Sequence, residues 1–108
     1  MRTWIRFALP ILTLLATDGG AIAQSVGDPF EGSVVAHDVC IECHAVDPEQ
    51  LISPNPGAPA FKEIANLHGM SFVSLNVLLR TPHGTMPLFV LKDREIDDLS
   101  AYILSMRE

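Results

Sequence analysis

The only two cysteines of this 108-residue chain stand three positions apart, and a histidine directly follows the second. Cys40, Cys43 and His44 therefore fall within about one helical turn and can face the same way. This C-x-x-C-H pattern is typical of covalent haem attachment, because two thiols at this spacing reach the two vinyl groups on one edge of the porphyrin. The motif predicts haem c as the cofactor, with Cys40 and Cys43 as the attachment residues and His44 as an axial iron ligand.

Other uses of closely spaced cysteines fit this sequence less well. A redox-active C-x-x-C pair is expected beside a βαβ pattern, and no alternation of the kind that predicts strands occurs along the chain. A zinc site needs two further ligands, but His68 and His83 are fifteen positions apart, whereas zinc-binding histidines are typically about three to five apart. A chance occurrence of the pattern is the third alternative.

The first 23 residues have the pattern of a secretory signal. Two arginines open the segment, residues 7–16 are largely apolar, and residues 21–23 (Ala-Ile-Ala) form a small-residue cleavage site. The apolar run is well short of the ~20 residues that a membrane-spanning helix needs. We therefore predict a signal peptide over residues 1–23 and a secreted, periplasmic domain over residues 24–108 that does not insert into the membrane after cleavage. An uncleaved N-terminal anchor is the alternative.

The domain that remains after cleavage is small and acidic. Removing Arg2, Arg6 and Asp18 leaves five basic and twelve acidic side chains on 85 residues, a net charge near −7. This charge argues against nucleic acid as a partner, because nucleic acid binding needs a basic footprint. It leaves open a protein partner with a basic docking patch. A domain of this size buries little surface, so a large buried cofactor would supplement its core.

Hydrophobic spacing predicts an all-α domain. Ser71 can cap one helix, and Pro59 suits the first turn of another. Prolines and glycines between the apolar segments predict loops. The predicted helices cover residues 30–39, 60–67 and 72–80, followed by a last helix from residue 93 with an apolar stripe of Ile96, Leu99, Tyr102, Ile103 and Met106.

A haem that carries electrons usually has a second protein ligand, which methionine or histidine can supply. Met86 is the favoured candidate, because it lies in a loop stiffened by prolines, residues 82–87. It also follows His44 by 42 positions, which is enough chain to reach the opposite face of the haem. The alternatives are Met70, His83, His68 and an open iron position.

The C-x-x-C-H motif and several other segments resemble the small class I c-type cytochromes of bacteria, over essentially the whole mature chain. Gly32, eight residues before Cys40, matches the glycine at which the first and last helices of that family cross closely. Leu99 and Tyr102 match the aliphatic and aromatic residues of the last helix at that crossing. The resemblance implies the cytochrome c fold, with roughly three to five short helices wrapped around one covalent haem.

The same resemblance bears on the iron ligands. Met86-Pro87 matches the axial-methionine motif of the family. Residues 57–61 (Gly-Ala-Pro-Ala-Phe) look like the loop in which a proline carbonyl accepts the Nδ1 hydrogen of the axial histidine. The accepting carbonyl would be that of Pro59, and the hydrogen bond would orient His44.

The chain departs from the family pattern at two points. Ala36 stands where the family often has an aromatic residue, and the mature chain lacks the tryptophan that contacts a haem propionate, since Trp4 lies in the signal. The resemblance implies a periplasmic electron-transfer protein, not an enzyme, whose haem iron cycles between ferric and ferrous states and whose partners are redox proteins. The alternatives are an open-site haem enzyme or gas sensor, and a dedicated haem subunit of a larger periplasmic dehydrogenase or oxidase.

Overall fold

The computed structural model describes residues 26–108, and the predicted signal over residues 1–23 lies outside them. Within the described residues the chain is helical and forms no β-sheet, in agreement with the predicted all-α class. No helix in this part of the chain is long and apolar enough to cross a membrane. The helices are α1 (Pro29–Val35), which continues into a π-helical turn (Ala36–Cys40), α2 (Phe61–Ala65), α3 (Phe72–Arg80) and α4 (Asp93–Leu104).

Short polar side chains begin two of these helices. The Asp28 carboxylate accepts a hydrogen bond from the Phe30 N–H at 2.8 Å, ahead of α1. The Ser71 hydroxyl accepts from the Ser74 N–H at 3.1 Å, ahead of α3, and α3 has the predicted bounds. Both contacts satisfy backbone donors that have no partner inside the helix. The helix predicted over residues 30–39 is present, but its second half is the π-helical turn.

The second helix is shorter than predicted. Ala60 has an extended backbone with φ −64° and ψ 147°, so Pro59 precedes the helix instead of occupying its first turn. At the other end, Asn66 leaves the helical conformation, and its side-chain amide donates to the Met106 carbonyl oxygen at 3.3 Å. Contacts with the C-terminal segment therefore limit α2 to Phe61–Ala65.

Helices α1 and α4 approach each other most closely at Gly32. A Cβ atom added there would lie 2.0 Å from the Asp98 carbonyl oxygen and 2.7 Å from the Tyr102 Cβ. Gly27, with φ +85°, repeats the close approach, since a Cβ atom would lie 2.2 Å from the Asp97 carbonyl oxygen. Only glycine allows backbones to come this close. The expected close contact between the first and last helices at Gly32 is therefore present.

A buried carboxylate joins the start of α1 to α4. Asp98 is only 4 % exposed. Its Oδ1 accepts the Asp28 N–H at 2.6 Å, and its Oδ2 lies 3.4 Å from Arg94 Nε. Because buried charge is unfavourable without such partners, this pairing fixes how the two helices meet.

The core lies between α4 and the other helices. Ala36 is fully buried in it, and Met106 is buried as expected from the apolar stripe. The aromatic neighbour of Tyr102 is Phe61 of α2, with ring centroids 6.4 Å apart in an edge contact. Because the chain has alanine and not an aromatic residue at position 36, the aromatic contact of Tyr102 is with Phe61 of α2. The buried core consists of Ala36, Cys40, Val46, Phe61, Ala65, Leu75, Leu99, Tyr102, Ile103 and Met106.

Candidate functional site

The π-helical turn ends at the C-x-x-C-H motif and orients it. The N–H groups of Cys43 and His44 both donate to the Cys40 carbonyl oxygen, at 3.2 Å and 3.0 Å. This arrangement brings all three residues to the wall of one cavity. Isolated π-helical turns are frequent at functional sites, because they place side chains at angles that a regular helix does not offer.

The two thiols differ in their surroundings. Cys40 is 6 % exposed and belongs to the core, whereas Cys43 is half-buried. Burial, and to a smaller extent the neighbouring Cys43, raises the pKa of the Cys40 thiol to about 11. Cys40, which lines the cavity, is therefore a neutral thiol at neutral pH.

The cavity beside the motif is large and mostly apolar. Its volume is about 320 Å³, within the roughly 300–1,000 Å³ range of cofactor and small-molecule sites. Three helices contribute aliphatic and aromatic side chains, which make most of the lining apolar. These side chains are Phe61 and Ile64 of α2, Leu78 and Leu79 of α3, and Ile103 of α4.

His44 is held by one of its two ring nitrogens. The side chain is 8 % exposed, and its Nδ1 donates to the Pro59 carbonyl oxygen at 2.6 Å. A carbonyl oxygen can only accept, so the hydrogen of the neutral ring is on Nδ1 and the lone pair is on Nε2. The Phe61 ring packs at a centroid distance of 5.5 Å from the imidazole. The expected contact with Pro59 is present, and it leaves Nε2 as the nitrogen that can bind a metal.

The loop that carries Pro59 is fixed by hydrogen bonds to the rest of the fold. The Ala45 N–H donates to the Ser53 hydroxyl at 2.9 Å, and the Phe61 N–H donates to the Ala45 carbonyl oxygen at 2.9 Å. The Tyr102 hydroxyl donates to the Val46 carbonyl oxygen at 2.7 Å. These contacts tie the segment after His44 to α2 and α4, so the position of the imidazole is supported by both helices.

Met86 lines the same cavity from the loop between α3 and α4. Its N–H donates to the His83 carbonyl oxygen at 3.2 Å and closes a tight turn in which Gly84 has φ +53°. The side chain of Met86 is half-buried. The structure thus places the predicted methionine at the cavity that Cys40 and His44 also line.

The alternative iron ligands separate into two groups. His83 lines the cavity, whereas Met70 and His68 do not. Met70 packs against the core, with its sulfur 3.4 Å from the Ser74 hydroxyl, and His68 is exposed. The structure therefore leaves Met86 and His83 as the candidates on that loop.

Sequence reasoning missed several residues that hold the site together. Spacing along the chain does not indicate the contacts of the Asp98 carboxylate and the Tyr102 hydroxyl, because their partners are backbone groups 70 and 56 positions away. His37 also contacts the segment after the motif: its Nε2 lies 2.9 Å from the Asp47 carboxylate, and its Nδ1 lies 2.7 Å from the Ser33 carbonyl oxygen. No local pattern indicates the contacts of Asp98 with Asp28 and of Tyr102 with Val46.

Comparisons with known proteins found no relative of this chain. No protein-family model, no curated protein and no solved structure matches the chain.

Proposed function

We propose that this chain is an exported mono-haem c-type cytochrome that transfers electrons, with haem c bonded to Cys40 and Cys43. The observation that carries the proposal is the arrangement of these cysteines, His44 and Met86 around one apolar cavity. The close contact of the first and last helices at Gly32 further supports the cytochrome c fold. The proposal explains why a small domain has so large an apolar cavity beside its core.

Each residue of the motif has a chemical role in this proposal. Cys40 and Cys43 would hold the haem by addition of their thiols to its two vinyl groups, in which each sulfur bonds to one vinyl carbon, each thiol hydrogen moves to the other and no group leaves. His44 would offer Nε2 to the iron, and Met86 would offer its sulfur. When bound, the haem supplies one-electron chemistry through the ferric and ferrous states of its iron.

The surrounding residues set the conditions for that chemistry. The Pro59 carbonyl holds the His44 ring in one tautomer and one orientation. Apolar side chains of three helices line the cavity, and an apolar site with a methionine ligand would raise the reduction potential relative to two histidines. We propose that the protein is an electron carrier and not an enzyme, and in this proposal none of its residues converts a substrate.

The sequence supports a location and a class of partner. The signal pattern of residues 1–23 favours export to the periplasm, and covalent attachment would keep the haem from being lost there. The net charge near −7 of the mature chain favours redox partner proteins with a basic docking patch. Nucleic acid is not a partner in this proposal.

An open-site haem enzyme or gas sensor is the second candidate function. The observation that favours it is the exposure of the loop around Met86, in which Val90 is fully exposed and Leu88 and Phe89 are about half-exposed. A ligand on such a loop can leave the iron more readily than one held by a helix. The electron-carrier proposal requires that Met86 stays bound in both oxidation states.

The test is the absorption spectrum of the purified, oxidised protein, produced in cells that have cytochrome maturation machinery. A haem that stays with the chain after denaturation would establish covalent attachment. The carrier proposal expects the weak far-red band of methionine sulfur on ferric haem, and expects Met86→Ala to abolish it. A covalent haem without that band would contradict the assignment of Met86 and favour a bis-histidine carrier or an open site.

A further inference from the structure

His83 shares both the cavity and the tight turn of Met86. The two residues are three positions apart, and the turn is closed by the hydrogen bond from the Met86 N–H to the His83 carbonyl oxygen at 3.2 Å. Both side chains line the cavity beside Cys40 and His44. Apart from the C-x-x-C-H motif, Met86 and His83 are the only methionine and histidine among the lining residues of the described chain.

The exposed His83 ring contacts a backbone carbonyl through the same nitrogen, Nδ1, as the buried His44 ring does. His83 Nδ1 donates to the Thr81 carbonyl oxygen at 3.1 Å, so the lone pair of the neutral ring is on Nε2. Thr81 is itself fixed to the end of α3, because its hydroxyl donates to the Val77 carbonyl oxygen at 2.6 Å. Metal-binding histidines commonly donate their second ring nitrogen to a backbone carbonyl in this way.

The turn between the two residues has room to rearrange. Gly84 has φ +53°, and a Cβ atom added there would meet no atom within 4 Å. Thr85 and Pro87 are exposed. Movement of this turn would therefore break few packing contacts, and it could exchange one cavity-lining side chain for the other.

Resting on the proposed function, we propose that His83 is a substitute iron ligand, which takes the axial position when the Met86 sulfur is lost to it. Met86 is half-buried on an exposed loop, so a peroxide can reach it. In that step the thioether gains one oxygen from hydrogen peroxide; sulfur is oxidised to the sulfoxide and the peroxide is reduced to water. The imidazole of His83 then keeps the iron six-coordinate and lowers its reduction potential, because histidine raises the potential less than methionine.

The experiment compares haem-loaded variants of the full protein. Met86→Leu removes the sulfur at nearly constant volume. The test pair is Met86→Leu and Met86→Leu/His83→Ala, and the matched control is Met86→Leu/His68→Ala, which removes an exposed histidine that does not line the cavity. The readouts are the spin state of the ferric iron by electron paramagnetic resonance, the reduction potential, and carbon monoxide binding to the reduced protein.

We expect Met86→Leu and its His68→Ala control to remain low-spin with a lowered potential. We expect Met86→Leu/His83→Ala to become high-spin and to bind carbon monoxide more tightly than Met86→Leu, since its iron then has an open position. A high-spin Met86→Leu protein that His83→Ala leaves unchanged would overturn the inference. If the wild type at the same time showed covalent haem and the far-red band, the proposed electron-carrier function would stand although the inference about His83 had failed.

Peroxide treatment provides the second measurement if the Met86→Leu protein does not accumulate. Wild type and His83→Ala are oxidised under mild conditions, and sulfoxide at Met86 is followed by mass spectrometry. The inference expects low-spin iron to persist in the oxidised wild type and high-spin iron to form in oxidised His83→Ala. Equal conversion of both proteins to high-spin iron would contradict it. Absence of covalent haem in the untreated wild type would overturn the proposed function and this inference together.

Discussion

The α-carbon of Gly32 faces the carbonyl oxygen of Asp98 so closely that a methyl group at residue 32 would come within 2.0 Å of that oxygen. The obstacle is backbone, so it cannot be relieved by a change of rotamer. The contact is also central, because the same added atom would lie 2.7 Å from the Tyr102 Cβ. The packing of α1 on α4 therefore depends on the absence of a side chain at this one position.

Replacing this glycine is expected to force the two helices apart. Gly32→Ala should lower the free energy of unfolding by about 1–3 kcal/mol or more, the scale of overpacking in a core. Urea unfolding of the haem-loaded protein measures the change. Gly57→Ala is the matched control, since its added Cβ would meet only Asn55 Oδ1 at 3.4 Å. Equal stability of the two variants would show that α1 can shift without cost.

The Asp98 carboxylate offers a second test of the same junction. Asp98→Ala should cost about 1–3 kcal/mol of unfolding free energy, because it leaves the Asp28 N–H without its acceptor. Asp98→Asn keeps an acceptor oxygen and should cost less. Asp97→Ala removes a neighbouring carboxylate and should change stability by no more than about 0.5 kcal/mol. The ranking, read from denaturant midpoints, would be contradicted if Asn and Ala at position 98 were equally harmful.

The Tyr102 hydroxyl supports the segment after His44 through its 2.7 Å hydrogen bond to the Val46 carbonyl oxygen. Tyr102→Phe keeps the ring in the core but leaves that buried carbonyl unpaired. We expect a loss of about 1–3 kcal/mol at neutral pH, with α-helical circular dichroism unchanged. A variant as stable as the wild type would mean that another donor or water replaces the hydroxyl.

The same hydroxyl makes stability depend on alkaline pH. Burial, followed by the carboxylates of Asp47 and Glu49, raises the pKa of Tyr102 above its ordinary value of 10.0. Above that pH the unfolded chain releases the phenol proton while the folded chain keeps it, so this contribution to stability falls as pH rises through about 10. The gap in unfolding free energy between wild type and Tyr102→Phe should therefore shrink between about pH 9 and pH 11. A gap that widens over this range would show that the pKa is lowered instead.

Loss of one of the proposed attachment cysteines is expected to impair folding of the whole domain. If Cys43 attaches haem as proposed, Cys43→Ala should yield a protein that is largely unfolded or degraded, because a chain of this size has a small core and a haem that binds only the folded state would stabilise it. Circular dichroism and the recovered amount of protein measure the effect, with His68→Ala as the exposed-residue control. A stable, compact domain without haem would contradict the dependence of folding on the cofactor.

Local signals predicted some elements of this fold accurately and others poorly. The helix Phe72–Arg80 has its predicted bounds, because Ser71 caps its start and Pro82 follows its end. The helix after Pro59 is shorter than predicted, since contacts with the C-terminal segment end it. The π-helical turn before the motif was not predicted, because hydrophobic spacing alone does not distinguish it from a regular helix.

Local signals likewise predict some residues of the candidate site and not others. Cys40, Cys43 and His44 lie within five consecutive positions, so a motif identifies them. Which of His83, Met70 and His68 accompanies Met86 at the cavity depends on the path of the loops, and no local rule supplies it. The Asp98 contact depends on a partner 70 positions away and could not be anticipated from spacing.

The contact between residues 28 and 98 also bears on the order in which the chain can assemble as it leaves the ribosome. The helix Asp93–Leu104 supplies Leu99, Tyr102 and Ile103 to the core, and it is synthesised after the other helices of the described residues. Until it emerges, α1 lacks the helix whose backbone Gly32 contacts. The segment that leads from Asp28 into the C-x-x-C-H motif can therefore reach its final packing only after the 70 positions that separate Asp28 from Asp98 have been synthesised.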